Sequence, residues 1–179
     1  MRRSDLSPIL AILVLIGSMF VACGSTDPLP SVTARPTDVP SADTGSRSAL
    51  SDFEGRLRDA TAREGLLIRT LASASVGSAA DLRLAIAQMR DWADGERAWL
   101  AQQPSTTCYD PAVTKFRAAL DAMASSASWF EGTIEASLAP SDDVSLGSME
   151  TEASNDLQDV TQALTDAAAL AKAARATCT

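Results

Sequence analysis

Histidine is absent from this chain, and aromatic residues occupy only 4% of its 179 positions. The first absence removes the commonest metal ligand and the commonest general base together. No run alternates β-branched and polar residues, so the signals of a strand are missing as well. Glycines such as Gly55, Gly65, Gly95 and Gly132 stand singly, far from the clustered spacing of a phosphate cradle. No serine or cysteine has a base at catalytic-motif spacing. Basic residues are few: 15 Lys and Arg face 23 Asp and Glu. Such a surface repels phosphate backbones, which argues against nucleic acid as a partner. Neither an enzyme nor a bound cofactor or metal is expected.

Long apolar runs are also scarce. The longest stretch, Ile9 to Ala22, has 14 residues, short of the roughly 17–25 that span a bilayer. Arg2 and Arg3 precede it, and Gly17 and Ser18 loosen its end. Charge, then apolar core, then small residues is the order of a secretory signal. The stretch closes on Phe20-Val21-Ala22-Cys23. This tetrad resembles the lipobox of bacterial lipoproteins, with Ala22 at the small position and Phe20 where leucine is usual. The resemblance covers residues 1–23. It implies cleavage before Cys23, a diacylglycerol thioether on that cysteine, and a lipid-anchored protein on the extracytoplasmic face of a cell membrane. More than one acyl chain holds a protein durably, since each buried methylene adds roughly 0.8 kcal/mol.

Residues 1–22 therefore read as signal peptide. Residues 23–46 hold Pro28, Pro30, Pro36 and Pro40 among Ser, Thr and Asp, which reads as an extended or disordered tether. Residues 47–179 form the expected domain. Its charge is uneven: residues 47–103 carry eight of each sign, whereas 104–179 carry 4 positive and 11 negative.

Within that domain the apolar spacing is helical. One stripe runs Leu50, Phe53, Leu57, Ala60, Leu67, Ile68 and Leu71. A second, after Ser78 and Asp81 as an approximate capping box, runs Leu82, Ile86, Met89, Trp92, Ala93, Trp99 and Leu100. The third runs Val113, Phe116, Leu120, Met123, Ala127, Phe130, Ile134 and Leu138, behind a cap and first-turn proline at Asp110-Pro111. The fourth runs Met149, Ala153, Leu157, Val160, Leu164, Ala167, Ala171 and Ala174. The expected helices are 48–75, 79–102, 111–138 and 148–176. With Pro104 and Pro140 as stops, short connections fit an all-α, antiparallel up-down-up-down four-helix bundle. Lipid on Cys23 leaves Cys108 and Cys178 as an even pair outside the cytoplasm, where a disulfide is the natural state. That topology puts both at the bundle end where the tether enters.

Several residues break the pattern. Glu64 and Glu96 sit inside apolar stripes, where a carboxylate is costly unless paired. Each is expected to find an arginine, with Arg117 or Arg175 for Glu96. Trp92 and Trp99 flank Glu96 on one face. They are either core packing or, with Glu96 and Glu64, the lining of a small-molecule pocket. Trp129 falls on the far side of the third stripe among small residues that include Ala122, Ser126 and Thr133. This face is expected to meet a protein partner or a second copy. The preferred function is a non-catalytic protein-interaction or envelope-structural module, with a small-molecule-binding or solute-sensing bundle as the alternative.

Overall fold

The structure is a computed structural model that describes residues 44–103, 108–138 and 146–178. The signal stretch, Cys23 and the tether as far as residue 43 lie outside the described residues, as do Pro104 and Pro140. Four helices make up the fold, and no strand occurs among the described residues: α1 Thr44–Ser75, α2 Ala79–Leu100, α3 Asp110–Leu138 and α4 Leu146–Ala174. None of them is long and apolar enough to cross a membrane.

Local chemistry sets the boundaries. Ser78 and Asp81 form a true capping box: the Asp81 amide donates to Ser78 Oγ at 3.2 Å, and the Ser78 amide donates to Asp81 Oδ2 at 2.9 Å. The same contacts hold the Asp81 carboxyl below its ordinary range. The α1–α2 turn is tight enough to require glycine. A Cβ at Gly77 would lie 2.9 Å from Asp81 Oδ2 and 3.3 Å from the Ala74 carbonyl oxygen. α2 stops two residues earlier than its periodicity suggests. There the Gln102 and Gln103 side-chain amides donate to the Ala98 and Trp99 carbonyls, satisfying the open end. α1 and α4 instead begin earlier than expected, at Thr44 and Leu146, so α1 takes in the last three residues assigned to the tether.

α3 and α4 make the broadest contact; α3 also meets α2, α2 meets α1, and α1 meets α4. Small side chains permit the close approach. Ala112, Ala119, Ala127, Ala153, Ala167 and Ala171 are fully buried, and Ser126 Oγ donates to the Ala153 carbonyl at 2.9 Å. Gly132 is part of this seam, since a Cβ there would come within 2.7 Å of Met149 Cε. Larger side chains fill the space towards α1 and α2: Phe53, Leu57, Leu67, Met89, Phe116 and Met123 are all buried.

Cys108 and Cys178 are joined in a disulfide with Cα atoms 5.4 Å apart. Beside it, Arg175 donates through two nitrogens to Glu54, both at 2.7 Å, and Tyr109 stacks on Phe53 with centroids 5.0 Å apart. The early part of α1, the start of α3 and the end of α4 thus meet at one place.

The third stripe needs correcting. Ser126 and Thr133, expected on an exposed face, are buried at 0% and 8% exposure. α3 packs against two neighbours, so its buried arc widens towards α4 and takes in positions about 80–100° from the Phe116 line. Leu138, expected in the core, is 64% exposed at the last position of α3, and the buried stripe ends at Ile134. Trp129 is 38% exposed and Ala122 partly so.

Candidate functional site

Glu96 lies on the inner face of α2 and is 6% exposed. Its Oε2 accepts from Arg56 Nε at 2.6 Å, across the α1–α2 interface. Arg56 is therefore its partner. Arg175 is engaged with Glu54, and Arg117 makes no ion pair among the described residues. Helix α1 explains the choice. Arg56 sits at the edge of the apolar stripe beside Leu57, close enough to reach inwards while its stem covers apolar surface. The guanidinium also lies over Trp99, with Cζ 5.3 Å from the ring centroid. Behind it, the Trp99 ring stacks on Phe53 at 6.3 Å, and Phe53 meets Phe116 edge-on at 6.0 Å.

Glu64 is a separate case. It is 3% exposed and has a hydroxyl as its partner, where an arginine was expected: Thr161 Oγ1 donates to Glu64 Oε1 at 2.6 Å from α4. Burial pushes the Glu64 carboxyl above the ordinary range, and the Thr161 hydrogen bond offsets only part of that. The folded state holds this proton more tightly than the unfolded chain does. Its contribution is thus most favourable below the ordinary carboxylate range and declines as pH rises towards the folded value. Glu64→Gln should accordingly raise stability at neutral pH, and the gain should fade on acidification. Chemical denaturation at two pH values reads this out; a loss at neutral pH would mean the carboxylate is needed as an anion.

Of the four residues considered for a pocket, Glu96 and Trp99 are joined through Arg56. Trp92 is buried one turn away on α2, with its indole Nε1 unpartnered among the described residues. Glu64 belongs to the α1–α4 interface and shares no partner with Glu96. The full cluster adds Phe53, legible only as core, and Arg56 and Tyr109, which no sequence pattern marks. Tyr109 is 1% exposed and its hydroxyl is likewise unpartnered. Burial raises its phenol above the usual range, helped by the nearby charges of Asp110 and Asp52. A lone residue between Cys108 and the start of a helix has no periodicity to announce it.

Chemically, the Arg56–Glu96–Trp99 group is neutral and internally engaged. Glu64 has the Thr161 hydroxyl beside it but no histidine or lysine with it, and no three acidic or cysteine side chains among the described residues converge as metal ligands would. These features define an all-helical, disulfide-linked domain whose buried acids each bond across a helix interface. No protein-family model matches the chain, and neither a curated protein nor a solved structure matches it.

Proposed function

We propose that this chain is a bacterial lipoprotein anchored through Cys23 on the extracytoplasmic face of a cell membrane. Its helical domain serves as a non-catalytic protein-interaction or envelope-structural module. One observation carries the reading. The Cys108–Cys178 bond accounts for two of the three cysteines and belongs to an oxidising compartment, leaving Cys23 as the odd one at the end of a signal-like stretch. Lipidation gives that cysteine its purpose.

The helices run alternately up and down in this proposal. Support comes from pairs whose residue numbers rise on one helix as they fall on its neighbour. Glu54–Arg175 and Glu64–Thr161 do so between α1 and α4, and Arg90–Glu131 and Arg97–Asp121 between α2 and α3. Lys115–Asp166 and Ser126–Ala153 do the same between α3 and α4. The disulfide then sits at the end where α1 receives the tether, and the opposite end faces away from the membrane.

Intact-mass measurement on protein extracted from membranes should find an acylated Cys23 at the start of the mature chain. Cys23→Ser should leave the precursor unmodified and without lipid-dependent partitioning into detergent. An unacylated Cys23 on a chain cut elsewhere sinks the proposal. The small-molecule alternative draws on the buried, unpartnered Trp92 Nε1 and Tyr109 hydroxyl. Against it, Glu96 is already engaged by Arg56, and the Trp99 ring by Arg56 and Phe53.

A further inference from the structure

The outer groove between α3 and α4 has a charge pattern that stops partway. Lys115 on α3 pairs with Asp166 on α4 at 3.1 Å. One heptad further along each helix, Ala122 comes opposite Asp159; after another, Trp129 comes opposite Glu152. Asp159 and Glu152 are exposed and have no cation among the described residues. Between them, Asp156 keeps one carboxylate oxygen buried and unpartnered. The first rung is closed by a lysine; the next two offer acids beside a small shelf and a 38% exposed tryptophan. Such a surface fits arginine side chains set about 10 Å apart on a helix, which would pair with the acids while one lies against the indole.

The chain itself carries that partner. On α1, Leu66 is 43% exposed between Arg63 and Arg69, which are exposed and ion-paired with nothing among the described residues. The spacing matches as well. With Glu64 level with Thr161, Arg69 comes level with about residue 156 of α4 and Arg63 with about residue 162. Glu152 and Asp159 are thus both displaced by a few residues towards the same end, and a small slide of one copy along the next brings both pairs together. The acids are then about 10.5 Å apart and the arginines about 9 Å, from the helical rise.

We propose that copies of this chain associate side by side, the Arg63–Leu66–Arg69 face of one docking on the α3–α4 groove of the next. The comparison of levels rests on the alternating helix order proposed above, and copies anchored in one membrane would stand in the same orientation. Because the two surfaces differ, the contact is head-to-tail and leaves a free surface at each end. It therefore builds rows of copies, or rings where the rotation between neighbours closes, where a self-complementary face would stop at a pair.

The test uses the full chain in detergent, with sedimentation as the readout. Wild-type protein should associate in a salt-sensitive way. Arg69→Glu and Glu152→Arg should each weaken association at least about tenfold, because either reversal sets like charges against each other. Mixing the two variants should restore it, since each retains the face the other has lost. Arg69→Gln and Glu152→Gln provide milder versions, and circular dichroism checks that all remain folded. A wild-type chain that sediments as single copies, a reversal without effect, or a mixture that stays apart overturns the proposal. Zero-length carbodiimide coupling of an Arg175→Lys chain reports the helix order separately. A link from the introduced amine to Glu54 within one copy, alongside failed mixing, refutes the docking alone; absence of that link refutes the helix order.

Discussion

Replacing both Cys108 and Cys178 with alanine should lower the unfolding free energy by about 4 kcal/mol, the chain-entropy value for a loop of this size. The bond spans a sequence separation of 70 and encloses both α3 and α4. Cutting it frees a large ensemble of unfolded conformations that the native protein excludes. A domain with a total stability of roughly 5–15 kcal/mol would feel that loss acutely. The packing makes this protein more dependent on the bond than most. Its tightest seam is lined by alanine, serine and glycine, which approach closely but each remove little apolar surface from water. Urea unfolding of the oxidised wild type and the double variant measures the difference, and a reducing agent added to wild type should reproduce it. A change below about 1 kcal/mol would show that the bond merely tacks down the segment after Ala174, with α3 and α4 packed stably without it.

Helical periodicity was enough to find four helices, because each stripe extends over several turns and glycine or capping residues punctuate the gaps. Ser78 and Asp81 were legible for the same reason: a capping box needs only local spacing. Periodicity fixes the direction of a buried face but leaves its width open. Ser126 and Thr133 show the consequence. They lie at the shoulder of the third stripe, and whether a shoulder is dry depends on where the next helix stands. Small side chains on both α3 and α4 let the two helices approach until that shoulder is covered.

The partners of the buried acids were less legible still. Glu64 and Glu96 were recognisable as inward carboxylates from their own helices. Which group meets each one depends on the rotation of a second helix and the reach of a side chain, and neither is local. Arg56 was hidden because arginine at the edge of a stripe looks like ordinary solvent-facing charge. Only the fold brings its Nε to Glu96 and its guanidinium over Trp99. Thr161 was hidden for a different reason, since a single hydroxyl among polar positions has no pattern.

Arg56→Met should cost about 2 kcal/mol although it removes no buried apolar side chain. A buried charge stripped of its partner costs about 3–5 kcal/mol, and partial exposure of the arginine lowers that figure by letting water approach. The side chains of Arg56 and Glu96 are 36% and 8% exposed, so the two members of the pair are not equivalent. Without Arg56, Glu96 is left with its charge in a poorly hydrated place and with no other cation paired to it. Without Glu96, Arg56 can turn towards water and still lie against Trp99. Glu96→Leu should therefore cost clearly less than Arg56→Met, although it removes the same ion pair. The double variant tests the explanation most directly. Methionine and leucine at these positions would place apolar surface beside Trp99 and Phe53, and the combined protein should recover to within about 1 kcal/mol of wild type, as replaced buried ion pairs often do. Urea denaturation of the four proteins closes a double-mutant cycle. If the two single variants lose equal stability and their losses simply add, Arg56 and Glu96 act independently, and the ion pair is not what ties α1 to α2.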